Sequence, residues 1–172
     1  LDALRTFRHA ADALGAGRIG AVATSAVRDA ADRDDFLDAA AAILGVRPTL
    51  LSGDEEGRLA FHGALRDLSL PADTVASGPL LVIDIGGGST EFVLGGGAAR
   101  DVCSVDAGCV RLTESELRSD PPRPEELSNA IGRVQDHLDD VLRDLPGLAA
   151  LIDDTVQEGA DDAPHVVGIG GT

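Results

Sequence analysis

The stretch from Leu81 to Gly95 reads LVIDIGGGSTEFVLG and decides the fold class. Leu80–Ile85 is an apolar run interrupted by one acid, Asp84, as is typical of a buried strand. Three glycines then turn the chain, and Phe92-Val93-Leu94 indicates a second strand that runs back beside the first. The stretch therefore predicts a strand, a tight glycine loop and a returning strand.

The loop between these strands has the residue types that a phosphate group requires. Consecutive glycines let backbone N–H groups approach one anion, and the two residues that follow add hydroxyl donors. Asp84 ends a buried strand, where its charge needs a partner, and Mg²⁺ beside phosphates is a natural one. Glu91 re-enters on the far side of the turn. We therefore predict phosphate binding by Gly86, Gly87, Gly88, Ser89 and Thr90.

Two other kinds of glycine loop do not fit. The sequence contains no G-x-x-x-x-G-K-[ST], so this is not a Walker A loop. The glycines also do not match G-x-G-x-x-G, and a strand rather than a helix follows them, which argues against a dinucleotide fold. The alternative is a plain hairpin whose glycines serve only the turn. The buried Asp84 and the hydroxyl pair favour phosphate binding over that alternative.

Helical and extended patterns alternate along the rest of the chain. Apolar spacing predicts helices from Leu1 to Leu14 and from about Asp32 to Gly45. A capping box, Ser52-Gly53-Asp54-Glu55, opens another helix, and a fourth runs from Pro124 until Pro146-Gly147. Further strands are predicted at Ile19–Ala26, Pro48–Leu51, Val102–Val105 and Val166–Ile169. This alternation predicts an α/β protein, with a lobe boundary in the loop-like residues 69–79.

Composition excludes several classes of partner. Hydrophobic residues make up 44% of the chain, only four residues are aromatic, and the net charge is −16. Such a chain has no aromatic platform for stacking bases, and its field repels nucleic acids and anionic membranes. A phosphate-chain substrate must then be held by local devices, namely backbone N–H groups, a few arginines and a divalent cation.

The cysteines and histidines give no metal site. Cys103 and Cys109 show no ligand spacing, and the four histidines are scattered, so we predict no zinc and a reduced, intracellular protein. We see no signal-peptide pattern in these residues and no apolar run long enough to span a bilayer. The cytoplasm is the expected location.

Four segments together resemble the exopolyphosphatase / guanosine pentaphosphate phosphohydrolase (Ppx/GppA) family. LVIDIGGGSTEFVLG is similar to its second phosphate loop, and the other three segments follow in the order of the family. These are ATSAVRDA (Ala23–Ala30), LSGDEEGRLAF (Leu51–Phe61) and GCVRLTE (Gly108–Glu114). The resemblance implies the actin-like ATPase superfamily, with two RNase-H-like lobes around a cleft. Residues 1–79 would be the C-terminal part of the first lobe, and residues 80–172 most of the second.

The resemblance also implies roles for single residues. Glu56 is similar to the catalytic base, and Glu91 to the second carboxylate, which holds the attacking water or the metal. Asp84 is similar to the magnesium-associated aspartate, and Arg28 to the arginine that contacts phosphate. The phosphate cradle matches Gly86, Gly87 and Ser89. Helix geometry agrees independently on Glu56. If Glu55 closes the capping box, Glu56 lies about 100° further round the helix and can face the cleft. Arg111 in GCVRLTE is either a substrate contact or a structural salt bridge.

The family's first phosphate loop would precede Leu1, and its C-terminal region would follow Thr172. We therefore expect these 172 residues to be an incomplete portion that does not turn over substrate alone. For the full-length protein, the resemblance suggests a homodimer.

The predicted activity is hydrolysis of the terminal phosphate of inorganic polyphosphate or of guanosine pentaphosphate (pppGpp), by Mg²⁺-assisted attack of water. The sequence does not choose between the two substrates. Two alternatives remain: a non-catalytic homologue that binds polyphosphate or an alarmone, and an ATP-dependent phosphotransferase of the same superfamily. The pair Glu56 and Glu91 favours hydrolysis, since a binding module needs no base.

Overall fold

The computed structural model describes residues 1–67, 78–158 and 165–170. Contacts within these residues group into two units, Leu1–Ser52 and Gly53–Thr172. The division thus lies earlier than residues 69–79, where the sequence predicts a lobe boundary, and residues 68–77 lie outside the described part. The helix that begins at Gly53 belongs to the second unit because it packs on the sheet of that unit. The assignment of residues 1–79 and 80–172 to two lobes stays a prediction.

The first unit consists of three helices and two short parallel strands. Its elements are α1 (Asp2–Ala13), β1 (Val22–Ala23), α2 (Ser25–Arg28), α3 (Arg33–Leu44) and β2 (Thr49–Leu50). Small aliphatic residues form its buried core, namely Ala23, Leu37, Ala40, Leu44 and Leu51. Gly45 ends α3 in the left-handed region, at φ 77°, which glycine adopts without steric cost.

The predicted strand Ile19–Ala26 is only partly present. Among these residues only Val22 and Ala23 pair as a strand, and the helix α2 begins at Ser25. The amides of Val27 and Arg28 donate to the carbonyl of Thr24, which closes a helical turn at this point. The prediction was wrong for Ser25 and Ala26 because a β-branched polar residue followed by a serine also marks a helix start.

The second unit contains a four-stranded sheet with helices on both faces. Its elements are α4 (Gly53–Asp67), β3 (Leu80–Ile85), β4 (Thr90–Gly95), β5 (Ala99–Val105), α5 (Cys109–Glu116), α6 (Pro124–Asp144), α7 (Pro146–Glu158) and β6 (His165–Gly170). The strand order is β5-β4-β3-β6. The first three strands form an antiparallel meander, and β6 is parallel to β3. This confirms the predicted α/β class.

Alternation along the strands separates two apolar cores, one on each face. On one face Leu80, Val82 and Val93 pack against Phe61 and Ala64 of α4. On the other face Leu81, Phe92, Leu94 and Cys103 pack against three residues at the junction of α6 and α7, which are Val141, Leu145 and Leu148. Complete burial of a side chain such as Phe61 stabilises the fold by about 1.5–3 kcal/mol.

Two helices of this unit were not predicted. Pro146 ends α6, as expected, but it also opens α7, because proline suits the first turn of a helix. The short helix α5 begins within the GCVRLTE segment, at Cys109, and ends at Glu116. None of the helices in the described part of the chain is long and apolar enough to span a bilayer.

Candidate phosphate-binding and catalytic site

The register of β3 against β4 places two acids opposite each other. Asp84 pairs with Glu91, and Ile85 with Thr90, so residues 86–89 form the connecting loop. Directly opposite residues of an antiparallel pair project from the same face of the sheet. Asp84 and Glu91 therefore share the face that α4 covers, next to the apolar pair Val82 and Val93. The sequence prediction that both carboxylates flank the loop agrees with this register.

The first turn of α4 brings Glu56 to the same end of the sheet. A Cβ on Gly57 would lie 3.0 Å from Val93 Cγ2 and 3.4 Å from Glu91 Cβ. Gly57 thus lets α4 pack closely over Glu91, and Glu56 precedes it in the chain. The Oε2 atom of Glu56 is buried. The structure therefore places Glu56, Asp84 and Glu91 in one region of the second unit.

Glu91 is held by a neighbour that the sequence did not indicate. Its side chain is only 1% exposed, and the Ser104 hydroxyl donates to its Oε1 atom at 2.8 Å. A buried carboxylate needs such donors to offset its lost hydration. Ser104 lies directly opposite Glu91 in the β4–β5 pairing. Knowledge of the strand register would have identified Ser104, but the register cannot be read from the sequence of either strand alone.

Asp84 sits in a less polar setting. Burial raises its pKa, because the carboxylate loses water when it is charged. Its neighbour on β6 is Ile169, and a cavity of about 410 Å³ opens beside it. The cavity is lined by Ala60, Gly63, Ala64, Val167, Gly168 and Ile169 in addition to Asp84. A cation next to Asp84 would favour its charged form.

Asp84 and Glu91 are the residues of this site that could hold a magnesium ion together with a phosphate substrate. Within residues 1–67, 78–158 and 165–170, no group of three or more His, Cys, Asp or Glu side chains is arranged to hold a metal ion. Magnesium sites that act on phosphates usually take only one or two carboxylates and complete their shell with phosphate oxygens and water. Asp84 and Glu91 are the two carboxylates that suit this arrangement.

The glycine loop is attached to the start of α5. The amide of Gly86 donates to the carbonyl of Ser89 at 3.0 Å, which closes the turn. The carbonyl of Gly86 accepts from the amide of Cys109 at 3.0 Å. The carbonyl of Gly87 accepts from Val110 at 2.9 Å and from Arg111 at 3.0 Å. Amides of the first turn of a helix have no partner within the helix, so the loop carbonyls satisfy them.

Gly108 makes this attachment possible. A Cβ at this position would lie closer than 3.0 Å to backbone atoms of Gly87 and Gly88, a separation that real Cβ atoms essentially never show. Glycine is required here for the close approach of two backbones and not for an unusual φ. In the sequence, Gly108 stands out only as the first residue of the GCVRLTE segment, which does not reveal this role.

The two hydroxyls that follow the glycines are not exposed. Ser89 and Thr90 are 1% and 6% exposed, and the Thr90 hydroxyl donates to the carbonyl of Ala107 at 2.7 Å. The sequence led us to expect that Thr90 presents its hydroxyl to an anion. In this structure the hydroxyl instead supports the loop from within. This geometry favours backbone amides over the two hydroxyls as donors to an anion.

The sequence model of the Ppx/GppA phosphatase family matches residues 1–152. The chain belongs to this family. Exopolyphosphatase 2 of Mycobacterium tuberculosis is 42% identical to it over 148 residues, which are 83% of this chain and 43% of the relative. The chain therefore spans less than half the length of this curated Ppx/GppA relative. The resemblance inferred from four sequence segments is confirmed.

Solved structures of Ppx/GppA proteins agree with the fold. An exopolyphosphatase-like protein superposes with a TM-score of 0.73 at 39% identity, covering 82% of this chain and 45% of the other. The Ppx/GppA family member of Aquifex aeolicus gives 0.61 at 33% identity, covering 81% and 44%. An exopolyphosphatase from Cytophaga hutchinsonii gives 0.71 at 23% identity, covering 97% and 48%, and this likeness shows the fold alone.

Arg28, the proposed phosphate-contacting arginine of the family pattern, belongs to the first unit. It is the last residue of α2, and its Nη1 atom donates to the carbonyl of Leu51 at 2.9 Å. This half-buried hydrogen bond joins α2 to the end of β2. Arg28 therefore has a structural contact within its own unit, and its contact with phosphate stays a prediction.

Proposed function

We propose that the full-length Ppx/GppA protein hydrolyses the terminal phosphate of inorganic polyphosphate by Mg²⁺-assisted attack of water. The observation that carries this proposal is the register that sets Asp84 opposite Glu91 at the glycine loop, with the helical turn that contains Glu56 and Gly57 packed on Glu91. A base, a second carboxylate and a set of backbone donors then lie at one end of one sheet. The Mycobacterium tuberculosis relative that is called exopolyphosphatase 2 supports the same activity.

Each group has a defined part in the proposed reaction. The loop amides bind oxygens of the terminal phosphate, and Glu56 accepts a proton from a water whose oxygen attacks the phosphorus. Glu91, oriented by Ser104, directs that water. The P–O bond to the next phosphate breaks, and its electron pair leaves with the shortened chain. Asp84 and Glu91 would hold Mg²⁺, which when bound neutralises charge on the transferring phosphoryl group.

The aromatic side chains of the second unit are few and buried. A guanine base is commonly held by stacking on an aromatic side chain. The chain contains no Trp or Tyr, and both phenylalanines of the second unit, Phe61 and Phe92, are buried in its cores. The described residues of this unit therefore offer no aromatic platform for a base. A bare phosphate chain needs none.

Phosphate release tests the proposal directly. We expect the full-length protein with Mg²⁺ to release phosphate from polyphosphate without any acceptor, faster than from pppGpp, and a chelator to abolish release.

We also propose that the 172-residue chain alone releases none, because phosphoryl transfer depends on positioning by the complete site. Binding without release would identify a non-catalytic binder, and release that requires an acceptor would identify a phosphotransferase. Release by the 172 residues at the full-length rate would contradict the last expectation.

Replacing Arg28 by Ala is expected to weaken both substrate binding and the first unit. Loss of a charged donor to phosphate should raise KM for polyphosphate roughly ten- to hundredfold, since such hydrogen bonds contribute about 1.5–3 kcal/mol. Loss of the hydrogen bond to Leu51 should also lower the melting temperature slightly. Arg47→Ala is the matched control, because Arg47 pairs with Asp34 and Asp38 on the surface of the same unit. A lowered melting temperature with unchanged KM would assign Arg28 a structural role only.

A further inference from the structure

The three glycine carbonyls of the loop are all held from the side of α5. Those of Gly86 and Gly87 accept from the first amides of α5, and the carbonyl of Gly88 accepts from Arg111 Nε at 2.7 Å. The Arg111 side chain is half-buried, and its Nη2 atom lies 3.6 Å from Asp106 Oδ1. One helix therefore supplies every hydrogen bond to these three carbonyls that we observe among the described residues.

This attachment sets the direction of three N–H groups. Each carbonyl shares a planar, trans peptide group with the N–H of the next residue, and the two point in opposite directions. The N–H groups of Gly87, Gly88 and Ser89 must therefore point away from α5. Within the described residues, none of the three donates to a backbone carbonyl. Consecutive N–H groups aimed at one side form a concavity that binds anions.

We propose that Arg111 is a positioning residue for phosphate binding, acting through the Gly88–Ser89 peptide and not through contact with the substrate. The Arg111 Nε atom fixes the Gly88 carbonyl, and this holds the Ser89 amide toward the anion. A charged donor on the carbonyl also polarises the peptide and strengthens its N–H as a donor. This inference rests on the proposed phosphate substrate and adds a determinant of how it is bound.

The contacting atom allows a sharp test. In glutamine, Nε2 occupies the position along the side chain that Nε occupies in arginine, whereas methionine has a methyl group there. Arg111→Gln keeps a donor without charge, and Arg111→Met keeps length without a donor. We expect the full-length Gln variant to bind tripolyphosphate nearly as well as the parent. We expect the Met variant to bind it roughly ten- to hundredfold more weakly.

Titration with tripolyphosphate, followed by amide nitrogen NMR and calorimetry, reports binding without requiring turnover. The Ser89 amide signal should shift on binding in the parent and in the Gln variant, and much less in the Met variant. Arg143→Met is the control, because Arg143 is an exposed arginine that pairs with Asp140 and Asp144 in the same unit. Melting temperatures separate loss of fold from loss of binding.

Three results would overturn the inference. Equal impairment of the Gln and Met variants would assign Arg111 a direct charge contact with substrate, and full binding by both would remove any role.

If the Met variant does not fold, Arg111→Lys replaces it, since lysine keeps the charge but carries its nitrogen one atom further out. Positioning predicts weaker binding by Lys than by Gln, and the reverse order would contradict it. A parent that binds tripolyphosphate without hydrolysing polyphosphate would refute only the proposed hydrolysis.

Discussion

Replacing Glu56 by Gln in the full-length protein should lower kcat for polyphosphate hydrolysis by about 10²-fold or more, with little change in KM. Glutamine keeps the shape and hydrogen-bonding size of the side chain and removes only its basicity. Glu56 is the proposed base, and it lies in the turn of α4 that packs on Glu91 at Gly57. A group that acts only on the attacking water should leave binding of the phosphate chain unchanged.

The neighbouring glutamate provides the control. Glu55→Gln makes the same chemical change one residue earlier, on an exposed side chain of the same helical turn. Glutamine also serves in a capping box, so the helix start should be preserved. We expect Glu55→Gln to keep the activity of the parent. If Glu56→Gln retained more than about half of kcat, the base would have to lie elsewhere, with Glu91 the next candidate.

Replacing Gly108 by Ala should reduce kcat/KM by roughly 10²-fold, since a displacement of about 1 Å in a catalytic site can have that effect. The new Cβ would overlap the backbone of Gly87 and Gly88, and backbone cannot move aside as a flexible side chain can. Relief requires α5 and the loop to separate, which lengthens the hydrogen bonds from Cys109 and Val110 to the loop carbonyls. The loop amides then lose their common direction, and KM should rise as kcat falls.

The control for this change is another glycine in the same unit. Gly132 lies within α6, and a Cβ there would meet no atom within 4 Å. Gly132→Ala should therefore leave kcat/KM unchanged and stabilise the helix by up to about 1 kcal/mol. Melting curves accompany the kinetics, because overpacking at Gly108 is expected to destabilise the unit by about 1–3 kcal/mol. Parent-like kinetics for Gly108→Ala would show that the loop does not depend on its attachment to α5.

The sequence by itself determined the local parts of this protein. The strand, glycine loop and returning strand around Asp84 and Glu91 follow from patterns within about sixteen consecutive residues, so no distant contact was needed to predict them. The start of α4 after Ser52 and of α6 at Pro124 was predicted for the same reason, because capping signals are local. The family, too, was evident from four short segments in order.

Only the tertiary structure decided how these parts support one another. Ser104 reaches Glu91 through the pairing of β4 with β5, and Gly57 approaches Glu91 through the packing of α4 on the sheet. The N-terminal turn of α5 donates hydrogen bonds to the glycine carbonyls from a segment some twenty residues away in sequence. The Arg111 side chain donates to the Gly88 carbonyl, and Gly108 allows the two backbones to approach closely. Such contacts depend on close approach between backbones and on strand register. Neither is encoded in the periodicity of a single segment, because each arises from how separate elements pack.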